Sequence, residues 1–388
     1  MTPVTSRAPA VAVIGGGQLA RMMAEPAAAL GIPLRLLAEG PDVSATQVIP
    51  DHRVGDYRDL RTLTEVTAGC EVVTFDHEHV PTAHLEALAM AGVACRPGPA
   101  ALVHAQDKAV MRARLAELAA PCPRNAVVTS TDDVEAFGFP CVLKTTRGGY
   151  DGKGVWVVRS ADDCLEPFAV AQESGVGLIA EELIDFRREL SALVVRSPSG
   201  QAAAYPVVES VQVDGICKEV VAPAPGLDPA LAGQAQQLAL MLAGELDVTG
   251  VLAVELFETT DGRVLVNELA MRPHNTGHWS QDGAVTSQFE NHLRAVLDLP
   301  LGSPEPRARW TVMVNILGGP HETGRLYDGY PHAMARDPRL RVHLYGKDLR
   351  PGRKVGHVNA YGEDLDDCLE RARHAAAWFA GELGDESE

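Results

Sequence analysis

Apolar and polar positions along the chain follow two regimes. Up to about residue 104, short apolar runs alternate with helix-length segments. "AVAVIGGG" (10–17) is a continuous apolar run that ends in glycines, as a buried strand does, and "QLARMMAEPAAALG" is a helix stopped by Gly31. "LRLLAE" and "CEVVTFD" read as further strands, and "PTAHLEALAMAG" as a helix with Gly92 at its C-terminal end. Strands alternating with helices imply a mostly parallel sheet with helices on its faces.

From about 105 the pattern changes. "AQDKAVMRARLAEL" is amphipathic, with Met111, Leu115 and Leu118 at helical spacing, and "APCPRN" breaks it. "CVLK" and "VWVV" are two strands joined by a glycine-rich loop. Ser160 and Asp163 form a capping-box pattern ahead of the next helix. "GLIAEELI" leads into a sheet, and "LSALVVRSPSGQAAAYPVV" reads as two strands around a Ser-Gly turn. "DPALAGQAQQLALMLAGEL" is a long helix with Leu231, Ala235, Leu238 and Leu242 on one face, and "VLAVELFETTDGRVLVNELA" is a second hairpin. Beyond a Pro-rich stretch come more strands and a final helix, "DLDDCLERARHAAAWFA". These shifts suggest an α/β domain at 1–104, a central α+β domain at 105–300 and a C-terminal domain at 301–388.

Composition narrows the classes. A net charge of -18 over 388 residues argues against a nucleic-acid partner, which requires a broad basic surface, but leaves room for a local basic pocket. The seven cysteines are dispersed with no C-x-x-C pair, as expected in a reducing cytoplasm. The start of the chain lacks a signal-peptide pattern, and no apolar run reaches membrane-spanning length. A soluble cytoplasmic protein with no membrane partner is the expectation.

The chemistry begins with an ambiguous motif. Gly15, Gly17 and Ala20 have G-x-G-x-x-A spacing after the first strand, and Glu39 ends the second strand. This matches a dinucleotide-binding fingerprint, so an NAD-binding dehydrogenase is one reading. A tight turn that only brings a helix close to a strand is the other. "TFDHEHV" sets Asp76, His77, Glu78 and His79 beyond a strand's C-terminal end, where ligands of parallel sheets bind.

The hairpin at 251–269 is more specific. A two-residue turn at Asp261-Gly262 pairs Thr260 with Arg263 and hence Glu255 with Glu268. Two carboxylates facing each other between valines and leucines repel unless a cation lies between them. A hard divalent ion, Mg²⁺ by preference, shared with ligand phosphates explains the pair, and Asn267 stands beside it; the alternative is one glutamate that is protonated or points to solvent at a sheet edge. Arg272, His274, Asn275 and His278 leave the strand next. Gly148, Gly149, Gly152 and Gly154, with Lys144 before them and Lys153 among them, suit a flap that closes backbone N–H groups on phosphate. "AEELI" offers Glu181, Glu182 and Leu183 to a base and its ribose. Lys347, Arg350, Arg353 and Lys354 form a basic loop in an acidic chain, either a second phosphate site or a solvated surface.

Taken together, "GGGQLARM", "TFDHEHV", "GGYDGKG", "AEEL", "NELAMRPHNTGHW" and "YGKDLRPGRKVGH" resemble the ATP-grasp superfamily, and more narrowly its 5-(carboxyamino)imidazole ribonucleotide synthase family. The resemblance covers nearly the whole chain. It departs at Ala20, where the family usually has Gly, at Asp76, where it usually has Glu, and at Gln212, where a His is frequent.

The resemblance implies an ATP-grasp fold with an N-terminal Rossmann-like pre-ATP-grasp domain and a small lid at about 125–185. It implies an ATP- and bicarbonate-dependent ligase that carboxylates 5-aminoimidazole ribonucleotide through carboxyphosphate in purine biosynthesis, working as a homodimer. Another ATP-grasp carboxylate-amine ligase is the alternative. ATP would be held by Lys108, Lys144, Gly149, Gly152, Gly154, Glu181, Glu182, Leu183, Glu189, Asn267 and Glu268. Mg²⁺, or Mn²⁺ in its place, would be held by Glu255 and Glu268. Tyr150, Asp151, Lys153, Arg272 and Asn275 would hold the bicarbonate-derived anion or move the amine proton. Gln18, Leu19, Asp76, Glu78 and His274 would meet the ribonucleotide, with Lys347, Arg353 and Lys354 on its phosphate.

Overall fold

The computed structural model describes residues 8–149, 152–213, 215–319 and 326–383. Among them the strands form three sheets. The first has five parallel strands in the order His52–Val54, Leu34–Ala38, Val11–Ile14, Val72–Phe75, Ala94–Cys95. Helices cover both faces, so the central strand Val11–Ile14 is shut off from water along its length and has no need of polar alternation. Gly31, at φ +70, ends the helix Gln18–Leu30 as expected.

The lid is an antiparallel sheet in the order Asn125–Val128, Leu178–Glu182, Cys141–Thr145, Val155–Val158. Its alternation is clean. Cys141, Leu143, Val158, Leu178 and Ala180 face a small apolar core under the helices Thr131–Phe137 and Leu165–Ser174. The capping box of Ser160 and Asp163 is formed. The opposite face carries Lys144, Glu181, Val142, Val155 and Val157.

The large sheet is antiparallel, ordered Val264–Ala270, Gly250–Thr259, Phe186–Arg196, Val208–Val213, Ile216–Ala222, Trp310–Leu317, Lys354–Gly362, Arg341–Leu344, with Ala202–Ala204 paired to Phe186–Arg196. The helix Pro229–Glu245 buries Leu231, Ala235 and Leu242 against one face of it. Strands from beyond residue 300 therefore extend the sheet of the central region through the pairing of Ile216–Ala222 with Trp310–Leu317. Apolar packing is continuous as well. One core cluster runs from Ile14 and Phe75 through Leu102, Met111 and Leu115 to Val254 and Leu269.

Two local expectations need correction. The amphipathic segment from 105 is two helices, Pro99–Gln106 and Lys108–Glu117, because Asp107 turns its side chain onto the amides of Ala109 and Val110 and caps the second. The second hairpin does not close on two residues. Its loop is Thr260, Asp261 and Gly262, between a paired Thr259 and Arg263. Gly262 sits at φ +81, as the last position of a three-residue hairpin loop requires. That loop shifts the pairing by one, and a β-bulge shifts it back, so Glu255 still pairs with Glu268. The extra residue in the bulge is Asn267.

Candidate active site

The bulge gives the site its density of polar groups. Consecutive residues of a regular strand point to opposite faces, but a bulge breaks that alternation. Both Asn267 and Glu268 reach lysines of one cluster: Asn267 Oδ1 accepts from Lys144 Nζ at 3.0 Å, and Glu268 Oε1 from Lys108 Nζ at 2.7 Å. Glu255, across the pair from Glu268, lies 3.2 Å from His274 Nε2. Burial opposes the charge of Glu255, but His274, with the charges of Lys354 and Arg272, outweighs it and leaves the carboxyl below its ordinary range. Glu189 behaves oppositely. Burial, then the negative charge of Glu255, pushes its carboxyl up to about 7.

Beneath this cluster lies an ion-pair network. Arg112 Nε donates to Glu181 Oε1 at 2.7 Å, and its two terminal nitrogens donate to the carbonyls of Val266 and Asn267, each at 2.8 Å. Arg112 thus holds the bulge from below. Lys144 Nζ meets the other Glu181 oxygen at 2.8 Å. Burial raises the cost of charging Glu181, but Lys144 and Arg112 more than offset it and hold the carboxyl down at about 2. At 2% exposure, with both oxygens engaged, Glu181 orients the lysine and the bulge. Glu182 is exposed on the far face of the strand, and Leu183 is half-buried.

The loop after the hairpin carries His274 and Arg272. Arg272 Nε lies 2.7 Å from Glu78 Oε1, which joins the first domain to the hairpin. Burial disfavours the Glu78 charge, and Arg272 overcomes it and lowers the carboxyl. The Asn275 amide is buried, and neither its nitrogen nor its oxygen has a protein partner among the described residues. Lys354 comes from the strand Lys354–Gly362, and its charge acts on Glu255.

The glycine turn of the first domain is closed from within. Glu39 Oε2 accepts from Gly16 N at 2.9 Å, while the two Asp76 oxygens accept from Gly17 N at 3.1 Å and Ala20 N at 2.8 Å. A Cβ on Gly17 would stand 2.2 Å from Asp76 Oδ2, so glycine is needed for this approach. The amides that a dinucleotide pyrophosphate would occupy already bind carboxylates. Asp76, expected at the substrate, is therefore a helix cap, and burial pushes its carboxyl up. Leu19, also expected there, is 5% exposed and packs in the core. Gln18 faces outward and its side-chain oxygen accepts from Lys347 Nζ, tying the first domain to the basic loop.

In that loop, Pro351-Gly352 makes a turn closed by Arg353 N on Arg350 O at 3.0 Å, and Gly318 pins it through bonds to Arg353 O and Gly352 N. In the flap, Gly148, Gly152 and Gly154 all adopt positive φ. A Cβ on Gly149 would stand 2.8 Å from Lys153 O, so the turn closes tightly there. Lys153 is exposed, and Tyr150 and Asp151 lie outside the described residues. Sequence reasoning missed Arg112, although Met111 and Leu115 flank it on the apolar face and Lys108 precedes it by one turn. It also missed the lid-face valines Val155 and Val157, which are exposed on the same face as Lys144.

Comparisons with known proteins identify the family and the fold. Three family models match: a ribonucleotide synthetase preATP-grasp domain at 9–106, an ATP-grasp domain at 113–289, and a phosphoribosylaminoimidazole carboxylase C-terminal domain at 311–371. An N5-carboxyaminoimidazole ribonucleotide synthase of Mycobacterium tuberculosis is 54% identical over 96% of this chain and 88% of its own length. A solved ADP complex of an N5-carboxyaminoimidazole ribonucleotide synthetase is 34% identical over 99% of this chain and 100% of its own, with a TM-score of 0.88. The Aspergillus clavatus enzyme, in complex with ADP and 5-aminoimidazole ribonucleotide, is 31% identical over 97% of this chain and 100% of its own, with a TM-score of 0.87.

Proposed function

The chain belongs to the N5-carboxyaminoimidazole ribonucleotide synthase family, and on that premise we propose how its residues divide the work. It is an ATP-grasp ligase that carboxylates 5-aminoimidazole ribonucleotide at the expense of ATP, in purine biosynthesis. Bicarbonate is the carbon source in this reading. No helix among the described residues is long and apolar enough to cross a membrane.

One observation supports the reading most: Glu255 and Glu268 face each other across a bulge that adds Asn267. These are hard oxygen donors, which suits Mg²⁺ rather than zinc. Glu255, Glu268 and the side-chain oxygen of Asn267 would hold the ion. When bound, it supplies charge neutralisation on the transferring phosphates.

The residues then act mainly by position and charge, as phosphoryl transfer requires. Lys144, oriented by Glu181 and Asn267, and Lys108, beside Glu268, meet the phosphates. Gly148, Gly149, Gly152 and Gly154 of the flap would lend their backbone amides to the same phosphates. The base lies on Val142, Val155 and Val157, with the chain at Glu182 and Leu183 along its edge and Glu189 at the ribose. Bicarbonate attacks the γ-phosphorus, its hydroxyl proton is released, and carboxyphosphate forms with ADP. Arg272, His274, Asn275 and Lys354 hold that anion. The amine of the ribonucleotide then attacks the carboxyl carbon or the carbon dioxide it yields. The amine proton leaves by way of Tyr150, Asp151 or Lys153 to the departing phosphate. Gln18 and Glu78 face the ribonucleotide, with Lys347 and Arg353 on its phosphate. A homodimer is the assembly expected from the family.

The test is ADP release measured with each component withheld in turn. Release that requires both the ribonucleotide and bicarbonate supports the reading; release indifferent to the ribonucleotide overturns it.

A further inference from the structure

Gln288 is fully buried at the first position of the helix Gln288–Val296, outside every set of residues assigned above. Its side chain is committed to the loop that carries His274. Gln288 Oε1 accepts from His274 N at 2.8 Å, and Gln288 Nε2 donates to His274 O at 2.7 Å. Both backbone groups of one residue are thus bound by one amide. Because a backbone N–H can only donate and a carbonyl only accept, His274 fixes which end of the amide is oxygen.

That orientation has a consequence for a second histidine. The same Nε2 lies 2.9 Å from His278 Nδ1 and faces it as a donor, so Nδ1 is the accepting nitrogen. His278 is fully buried between Phe289 and the ring of His357. Its neutral imidazole then carries its proton on Nε2, which has no partner among the described residues. Two further contacts complete the brace. Ser280 Oγ donates to Gly277 O at 2.6 Å and accepts from Gln288 N at 2.9 Å. Gly277 passes so close that an added Cβ would stand 2.3 Å from Gln288 Oε1.

We propose that Gln288 is a positioning residue for the reaction: its amide seats His274 on Glu255 and locks His278 as the tautomer with its proton on Nε2. The proposal rests on the role given to His274 above. The His274 carbonyl also accepts from Gly277 N at 2.9 Å, and Thr276 Oγ1 lies 2.9 Å from His274 Nδ1, but among the described residues only Gln288 binds both the N–H and the carbonyl of His274 and so sets the backbone from which the ring reaches Glu255.

The test compares three variants of the whole enzyme in ADP release with ribonucleotide and bicarbonate saturating. Gln288→Leu keeps bulk and removes all three hydrogen bonds, and it is expected to lower kcat ~10–100-fold per folded molecule, as loss of a partner behind an active-site ligand does. The KM for ATP should not move. Gln288→Glu keeps the acceptor for His274 N but presents a carboxylate to His278 Nδ1, so nitrogen NMR of labelled imidazoles should show the His278 proton moved to Nδ1. Gly277→Ala reaches the same brace from the other side and should reproduce the kcat loss. His274→Asn gives the reference: the double variant with Gln288→Leu should be no slower than His274→Asn alone. Wild-type kcat in Gln288→Leu, additive losses in the double variant, or an unmoved His278 proton in Gln288→Glu would each overturn the proposal. Wild-type kcat in His274→Asn would instead refute the role of His274 itself.

Discussion

Arg112 and Glu181 meet at 2.7 Å with side chains 1% and 2% exposed, at the point where the lid strand, the helix Lys108–Glu117 and the bulged hairpin come together. Neither charge can return to water without opening that junction. The pair is completed by Lys144 and by the carbonyls of Val266 and Asn267, so its geometry is closed on all sides.

Removing one partner should therefore cost far more than a surface ion pair would. Arg112→Met leaves Glu181 buried with half its compensation and two carbonyls without donors. The expected loss is about 3–5 kcal/mol, read as a lower urea midpoint. A change near zero would mean that the junction relaxes and admits water.

Glu268→Gln tests the carboxylate pair. Its side chain is 41% exposed, so its bond to Lys108 contributes little to folding. The circular dichroism spectrum and melting temperature should stay near those of the parent, while kcat for ADP release falls by about 10²–10³ or more. Chelating divalent ions should stop the parent enzyme, and added Mg²⁺ should restore it.

Asp76→Ala removes the acceptor for Gly17 N and Ala20 N. Loss of such a cap typically costs about 1–2 kcal/mol. The loss should appear in the denaturation midpoint with no ligand present, which separates a cap from a group that acts only when substrate is bound.

His292 joins two domains as a neutral group. It accepts from Val251 N at Nδ1 and meets Thr74 Oγ1 at Nε2, 2.8 Å away, and burial lowers its pKa from 6.5 to about 3. Between those values the unfolded chain binds a proton that the folded chain refuses. Its contribution is fully present above pH 6.5 and is lost as pH falls toward 3, at about 1.4 kcal/mol per pH unit. Chemical denaturation at a series of pH values should show this slope, and His292→Gln should flatten it.

The sequence disclosed the elements better than it disclosed their joins. Val11–Ile14 reads as a buried strand from its unbroken apolar run, whereas Glu255 opposite Glu268 is reached from a two-residue turn and holds only because the third loop residue and the bulge at Asn267 cancel. The closing loop was misjudged, because Asp-Gly marks a turn without fixing how many residues it holds. Arg112 was hidden for a different reason. An arginine in a charged helix looks solvated until its carboxylate, 69 residues away, is placed beside it. Asp76 looked like a ligand because it ends a parallel strand; only folding brings its oxygens to the amides of Gly17 and Ala20. Interactions between distant segments leave no periodic trace, and most of the site is built from them.

The bulge at Asn267 has a meaning beyond this hairpin. A regular strand offers one face a side chain only every ~6.6 Å, too sparse for three oxygen donors within reach of one ion. Deleting Asn267 would leave an ordinary hairpin, with Glu255 still opposite Glu268 but with Arg112 and Lys144 each short of one acceptor. A plain sheet and one dense enough to hold an ion differ here by a single inserted residue.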